Sequence, residues 1–296
     1  MNCVAHSAIE SGTLESKLPK MGVLRMRKWW GWLVVVGVLL AGMSGYWYWR
    51  LHRTIMTGKL RETTFALVSS AENSSLNYRR QYRYIADIGD GRGYTAGIIG
   101  FTSGTGDMLR VIKRYDALQS ANQLAKYLPA LKRVNGTASH RGLGRPFVTA
   151  WHQAAKDPQF VQAQNDVLNQ RYLKPAVAAA RADGLAPLGQ YIYYDAMVVH
   201  GPGNGADSFG GIRRAAKQRA KTPQQGGKTK TYLRTFLTVR AHVMREESAH
   251  HDLSRLIAQW QFVCADKDQL QLPLTWKMYG DTYNLTSDKL AKLKAS

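Results

Sequence analysis

The chain has 296 residues, 45% of them hydrophobic, and a formal charge of +21 from 41 Lys and Arg against 20 Asp and Glu. That apolar content supports one large globular unit or two lobes sharing a cleft. The two cysteines, Cys3 and Cys264, rule out a disulfide framework, and no Cys-x-x-Cys or Cys/His cluster suggests zinc. Cys264 reads as a small buried apolar residue.

So basic a chain invites a nucleic-acid reading. No helix-turn-helix, zinc finger or RNA-binding signature accompanies the charge, so nucleic acid is not expected as a partner. The densest basic stretch runs from Arg213 to Arg234, with Arg214, Lys217, Arg219, Lys221, Lys228 and Lys230 and no acid among them. It reads as a solvated face. The alternative is a surface that holds phosphate, anionic lipid or an acidic wall polymer.

In chain order, residues 1–28 form a basic segment, a cytoplasmic flank or leader. Residues 29–49 are uncharged and flanked by Trp29, Trp30 and Trp32 at one end and Tyr46, Trp47, Tyr48 and Trp49 at the other. At about 1.5 Å per residue that run can span a bilayer, and aromatic belts suit both interfaces. A membrane anchor is expected, with a cleaved signal peptide centred on Leu33–Ala41 as its rival. Either places the rest of the chain outside the cytoplasm, secreted or anchored. Residues 50–60 read as a linker, and 61–296 as the main domain.

Within that domain Glu62–Glu72 has a helical apolar face. Tyr78–Ile85 is aromatic-rich, Ile88–Thr95 is rich in turn residues, and Ile98–Phe101 looks like a strand. The chain then becomes mainly helical over Asp107–Tyr115, Ala121–Lys132 and Pro158–Asp183, the last broken or kinked at Pro175. Leu185–His200 is apolar almost all round, the mark of a buried central helix. Loops at Gly201–Gly205 and Thr222–Gly227 separate it from helices at Phe209–Ala220, Tyr232–Glu247 and Leu253–Phe262. The layout is α+β and mainly helical: a small β-sheet lobe, a larger helical lobe and a cleft between them.

Glu72 at a helix end and Asp90 on a nearby loop are placed to face each other across such a cleft. Cleavage of a glycosidic bond needs a proton donor and a second carboxylate. Spacing alone does not separate this reading from that of Asp90 as an ordinary Gly-Asp-Gly turn residue. The words around them do. Ser69-Ser-Ala-Glu-Asn-Ser-Ser75, Tyr84-Ile-Ala-Asp-Ile-Gly-Asp-Gly-Arg-Gly-Tyr-Thr95, Gly97-Ile-Ile-Gly-Phe-Thr-Ser-Gly-Thr-Gly-Asp107, His200-Gly-Pro-Gly-Asn204 and Ser208-Phe-Gly-Gly-Ile-Arg213 closely resemble the chitosanases of glycoside hydrolase family 46. The resemblance runs in order over residues 62 to 285.

It implies a lysozyme-like two-lobed fold and endo-hydrolysis of β-1,4-linked glucosamine polymers with inversion, without cofactor or metal, by a monomer. On this sequence Glu72 takes the place of the general acid, kept protonated by partial desolvation. Asp90 takes that of the general base, and Thr95 helps hold the attacking water. Asn73, Ser74, Tyr84, Arg92, Asp107, Tyr172, His200 and Glu247 match sugar-contacting positions. For Asp107 the rival role is a helix cap, and for His200 it is satisfying the last carbonyls of its helix. Asp195, Arg240 and Arg255 match a buried network behind the site. His251 and Thr102 depart from the family pattern, which implies one weakened cationic-sugar contact at His251 and no effect on mechanism at Thr102. Other readings are a muramidase or chitinase, or a non-catalytic basic protein that binds a wall or polyanion. Because chitosan is a polycation, the Arg213–Arg234 patch is expected to face away from the groove.

Overall fold

The computed structural model describes residues 35–36, 53–246 and 252–295, and the chain divides into two units, Met1–Trp49 and Arg50–Ser296. The expected span at 29–49 lies outside the described residues apart from Val35 and Val36, which are helical and exposed. Among the described residues no helix is long and apolar enough to cross a membrane.

In the second unit, helix α1 (Gly58–Asn73) buries most of its length from Leu60 to Ala71. It begins inside the stretch expected to be a linker. Ile55 there is fully buried, with its N–H bonded to Gln190 Oε1 at 3.1 Å, so order starts before residue 60. At the other end Ser74 turns into the left-handed region (φ 47°) and closes the helix with its N–H on the Ser69 carbonyl. This stop leaves Glu72 on the last turn.

Strands β1 (Ile85–Asp87), β2 (Tyr94–Ala96) and β3 (Phe101–Thr102) form an antiparallel sheet in that order, pairing Ile85 with Ala96 and Thr95 with Thr102. The strand expected at Ile98–Phe101 is instead mostly the turn between β2 and β3. Gly97 sits at φ 76°, and a Cβ there would lie 2.4 Å from Gln164 Oε1. The buried Gln164 explains the turn: it accepts from the Ile98 N–H at 3.2 Å and donates to the Tyr82 carbonyl at 2.9 Å. A buried amide left without such partners would cost more than a strand there could return.

The helices follow: α2 (Asp107–Leu118), α3 (Leu128–Val134), α4 (Arg145–Ala154) and α5 (Pro158–Leu168). The helix expected from Ala121 starts later, because Ala121 has φ 57° and Asn122 Oδ1 caps the N–H groups of Leu124 and Ala125. After α5 comes a π-helical turn (Asn169–Leu173), then α6 (Lys174–Ala182). The break expected at Pro175 takes this form. Proline offers no N–H and crowds the carbonyl four residues back, and a wide turn relieves both.

Helix α7 (Pro187–His200) is the expected buried centre, covered from Pro187 through Met197. Around it lie α8 (Phe209–Arg219), α9 (Thr229–Glu246) and α10 (Ser254–Cys264). Cys264 is exposed, contrary to expectation. It ends α10 on the face shared with the exposed Ile257 and Gln261, seven and three residues before it in a helical stripe. A hairpin of β4 (Leu274–Met278) and β5 (Asp281–Leu285) pairs Trp276 with Tyr283, and α11 (Ser287–Ala295) closes the unit. Trp276, 2% exposed, donates its indole N–H to Ser70 Oγ on α1 at 3.1 Å. The fold is α+β, mainly helical and lysozyme-like.

Candidate active site

Two adjoining cavities form a groove between the small sheet and the helices. The first, about 380 Å³, is lined by Glu72, Asn73, Tyr84, Asp90, Arg92 and Thr95 from the first part of the unit and by Asp252, Arg255 and Tyr279 from the last. The second, about 320 Å³, shares Arg92, Ile99, Gly100, Val198 and Val199 with it and continues to Asp107, Tyr172 and His200.

Glu72 is paired through Oε1 with Arg255 Nη2, and its side chain is 29% exposed. Its surroundings are thus charged as well as partly shielded from water. Behind it the charges alternate. Arg255 Nε lies 3.8 Å from Asp195 Oδ1, a charge contact without hydrogen-bond alignment. Asp195 Oδ2 accepts from Arg240 Nη1 and from Gln259 Nε2, both at 2.7 Å. Arg240 Nε then donates to His200 Nε2 at 3.2 Å. Asp195 and Arg240 are fully buried. Burial opposes the charge on Asp195, but the guanidiniums of Arg255 and Arg240 outweigh it and hold the carboxyl below its ordinary range. His200 therefore faces a side chain of the network, whereas the sequence allowed only for carbonyls or sugar.

Asp90 lies in the β1–β2 loop, where Gly89, Gly91 and Gly93 all have positive φ. Its Oδ1 accepts from the Arg92 N–H at 3.0 Å, the turn role of an Asp at this place. Its Oδ2 accepts from Arg92 Nε at 2.8 Å, with Nη2 at 2.6 Å. Partial burial works against ionisation, but the hydrogen bonds and charge of Arg92 prevail and lower the carboxyl below its usual value. Thr95 on β2 is 8% exposed, and its Oγ1 is shielded and forms no hydrogen bond within the protein.

Asp107 opens α2, but the cap position belongs to Gly106, and no side-chain capping bond forms. The capping role weighed for it is therefore wrong. Its Oδ2 accepts from Tyr172 OH at 2.5 Å and Thr105 Oγ1 at 3.4 Å, while Arg171 Nε stands 3.2 Å from Oδ1. Tyr172 thus reaches the cavity wall with its hydroxyl engaged, and burial, then Asp107, pushes that phenol up. Ser74 lines neither cavity. Glu247 and His251 lie outside the described residues. Thr102 is buried in β3 and shares a 2.6 Å hydroxyl contact with Thr105.

Sequence reasoning missed Gln259, Asp252, Tyr279 and Arg171. Gln259 was within reach of it, since a residue four after Arg255 on one helix shares its face. Arg171 was not, because only the π-turn brings two consecutive residues to one carboxylate.

No residue from 213 to 234 lines either cavity. The patch is also less free than its sequence suggests. Arg213 (2.7 and 2.8 Å) and Lys217 (3.2 Å) bind Asp183, whose side chain is 1% exposed and also accepts from Tyr193 OH at 2.8 Å. Lys230 reaches Asp266 at 3.0 Å, and Arg234 stacks over Trp260.

The sequence model of glycosyl hydrolase family 46 matches residues 66–274. A chitosanase of Streptomyces sp. (strain N174) is 57% identical over 228 residues, covering 77% of this chain and 82% of the relative. A chitosanase of Bacillus subtilis (strain 168) is 36% identical over 191 residues, 62% of this chain and 67% of the relative. Among solved structures, chitosanase OU01 co-crystallised with substrate superposes with a TM-score of 0.78 at 49% identity, covering 79% of this chain and 99% of that one. The family 46 chitosanase of Gynuella sunshinyii, in complex with chitotetraose, gives 0.72 at 30% identity over 78% and 98%. Fold and sequence together define a glycoside hydrolase. The chain belongs to glycosyl hydrolase family 46.

Proposed function

We propose that the protein cleaves chitosan internally at β-1,4-glucosaminidic bonds with inversion, Glu72 acting as general acid and Asp90 as general base. The observation that carries this reading is that Glu72, Asp90 and Thr95 line one cavity, each carboxylate held by its own guanidinium. Arg255 grips Oε1 of Glu72, which leaves Oε2 as the oxygen that carries a proton to the leaving group. Asp90, kept anionic by Arg92, takes a proton from water, and the unpaired Thr95 Oγ1 is the hydroxyl that positions that water. Because Arg92 holds the Asp90 carboxyl low, the acidic limb of the activity profile set by this base falls below about pH 4.

Asn73, Tyr84, Arg92, Tyr172 and His200 line the groove where sugar rings would lie, and Asp107 supplies an anion for a glucosamine ammonium. Names of relatives support the substrate: four chitosanases match by sequence. A strongly basic protein can hold a polycation because charges separated by more than about 8 Å are screened at physiological salt, and the nearest groups decide. Export, and anchoring through residues 29–49, rest on the sequence of that segment.

The test offers soluble chitosan, chitin and peptidoglycan side by side and counts new reducing ends. Chitosan should be preferred; a preference for peptidoglycan would point to a muramidase and overturn the substrate. Glu72→Gln should stay folded and lose nearly all turnover, since an amide cannot deliver the proton. Substantial residual activity refutes its role, and β-anomer as first product in proton NMR refutes inversion.

A further inference from the structure

The second cavity holds an arrangement that its role as a sugar site does not require. Asp107 is 7% exposed, and its Oδ1 is shielded from water yet accepts no hydrogen bond. The nearest cation is Arg171 Nε at 3.2 Å, itself shielded and without an aligned hydrogen bond. The pair attract as charges but are not locked together. The other carboxylate oxygen is firmly held by Tyr172. Asp107 therefore has one fixed oxygen and one that is covered but unsatisfied. Arg171 is 35% exposed along its side chain, so its guanidinium has a route to water. A second guanidinium, Arg110 on α2, stands 4.0 Å from the same oxygen and is 54% exposed.

We propose that Arg171 is a built-in counter-ion that covers Asp107 and is exchanged for the ammonium of a glucosamine unit. The proposal deepens, and rests on, the reading of this groove as a chitosan site. An ammonium carries three donors and can make the hydrogen bond to Oδ1 that Arg171 does not. On arrival it displaces Arg171 toward solvent, and the subsite changes from an internal ion pair to a protein–sugar ion pair. A unit with an N-acetyl group brings no cation and does not displace Arg171. The exchange therefore discriminates against acetylated units at this position, and it lowers affinity for deacetylated ones by the strength of the internal pair. The π-turn makes the arrangement possible, setting Tyr172 on Oδ2 and its neighbour Arg171 on Oδ1.

The experiment measures KM and kcat on glucosamine hexamer for the wild type, Arg171→Gln, Arg171→Lys, Arg110→Gln and Asp107→Asn. Dissociation constants are measured in a Glu72→Gln background, so that binding is read apart from turnover. Removing a partly exposed ion pair should lower KM and Kd by about two- to fivefold in Arg171→Gln, with kcat moving less. Arg171→Lys should return toward wild type. Arg110→Gln should change KM less than Arg171→Gln, because its contact is longer and wetter. A rise in KM for Arg171→Gln, as large as that for Asp107→Asn, would make Arg171 a holder of Asp107 and overturn the proposal while leaving the chitosan reading intact. Equal falls for Arg171→Gln and Arg110→Gln would reduce the effect to overall charge and also overturn it. A wild type that neither cleaves nor binds the hexamer would remove the chitosan reading itself, and the proposal with it.

Discussion

Replacing Asp195 with Asn keeps the shape of a fully buried side chain and removes its charge. Two guanidiniums then share the core: Arg240, with no exposed surface, and Arg255, 5% exposed and left with Glu72 as its anion. Breaking a buried ion pair by removing one partner costs about 3–5 kcal/mol, because the survivor stays buried without compensation. For a folded unit of this size each kcal/mol moves the melting temperature by about 2–4 °C. Asp195→Asn should thus melt roughly 6–20 °C below the wild type. Arg240→Met strands Asp195 less severely, because Gln259 still donates to Oδ2 at 2.7 Å and Arg255 remains 3.8 Å from Oδ1. The double variant removes both charges and should recover much of the loss. Urea unfolding of the four proteins gives the coupling energy directly, expected at about 2 kcal/mol or more. Additive losses, or a single variant that costs under about 1 kcal/mol, would refute the claim that this pair is a mutually dependent unit.

Two further predictions concern the fold. Asp90, Asp183 and Asp195 all have carboxyls held below their ordinary range: in each, burial opposes ionisation and is outweighed, by Arg92 for Asp90, by Arg213 with Tyr193 and Lys217 for Asp183, and by Arg255 with Arg240 for Asp195. The stability these groups contribute is fully present above the unfolded-state value near pH 4 and is lost as pH falls through their folded values. Urea midpoints should therefore hold from pH 7 to 5 and drop steeply below about pH 4; a flat profile down to pH 2.5 would contradict this assignment. Gly97→Ala combines a φ of 76° with a Cβ placed 2.4 Å from Gln164 Oε1. It should cost about 1–3 kcal/mol, read as a shift in urea midpoint at constant m, and a neutral result would mean that the β2–β3 turn is not held by Gln164.

Much of this molecule was legible before its coordinates. The all-round apolar character of Leu185–His200 gave α7 because no solvent face had to be accommodated. Glu72 on a helix end followed from the apolar spacing that precedes it, and Asp90 in a loop from its flanking glycines. Asp195 falls within that apolar stretch, where a carboxylate is tolerable only when it is paired, and the resemblance named Arg240 and Arg255 as its partners. What escaped depended on contacts distant in the chain. Ile98 and Ile99 have the composition of a strand, but Gln164 pulls the backbone into a turn. For Asp107 a cap was the rival role, and its partners within the protein, Arg171 and Tyr172, come from a backbone irregularity that no periodicity announces. The hairpin at 274–285 shows strict in-out alternation along β4, a signal present in the sequence yet short enough to be overlooked.

The support behind Glu72 has a consequence for how the protein is made. Helix α1 lies near the start of the folded unit, but Ser70 on it is bonded to Trp276, Lys59 to Ser287, and Glu72 itself to Arg255. The groups that fix the carboxylate leave the ribosome long after Glu72 itself. A nascent chain carries Glu72, Asp90 and Thr95 for most of its synthesis without the residues that orient the first of them. The support of Glu72 is consequently completed only once the helix that carries Arg255 and the hairpin that carries Trp276 have emerged.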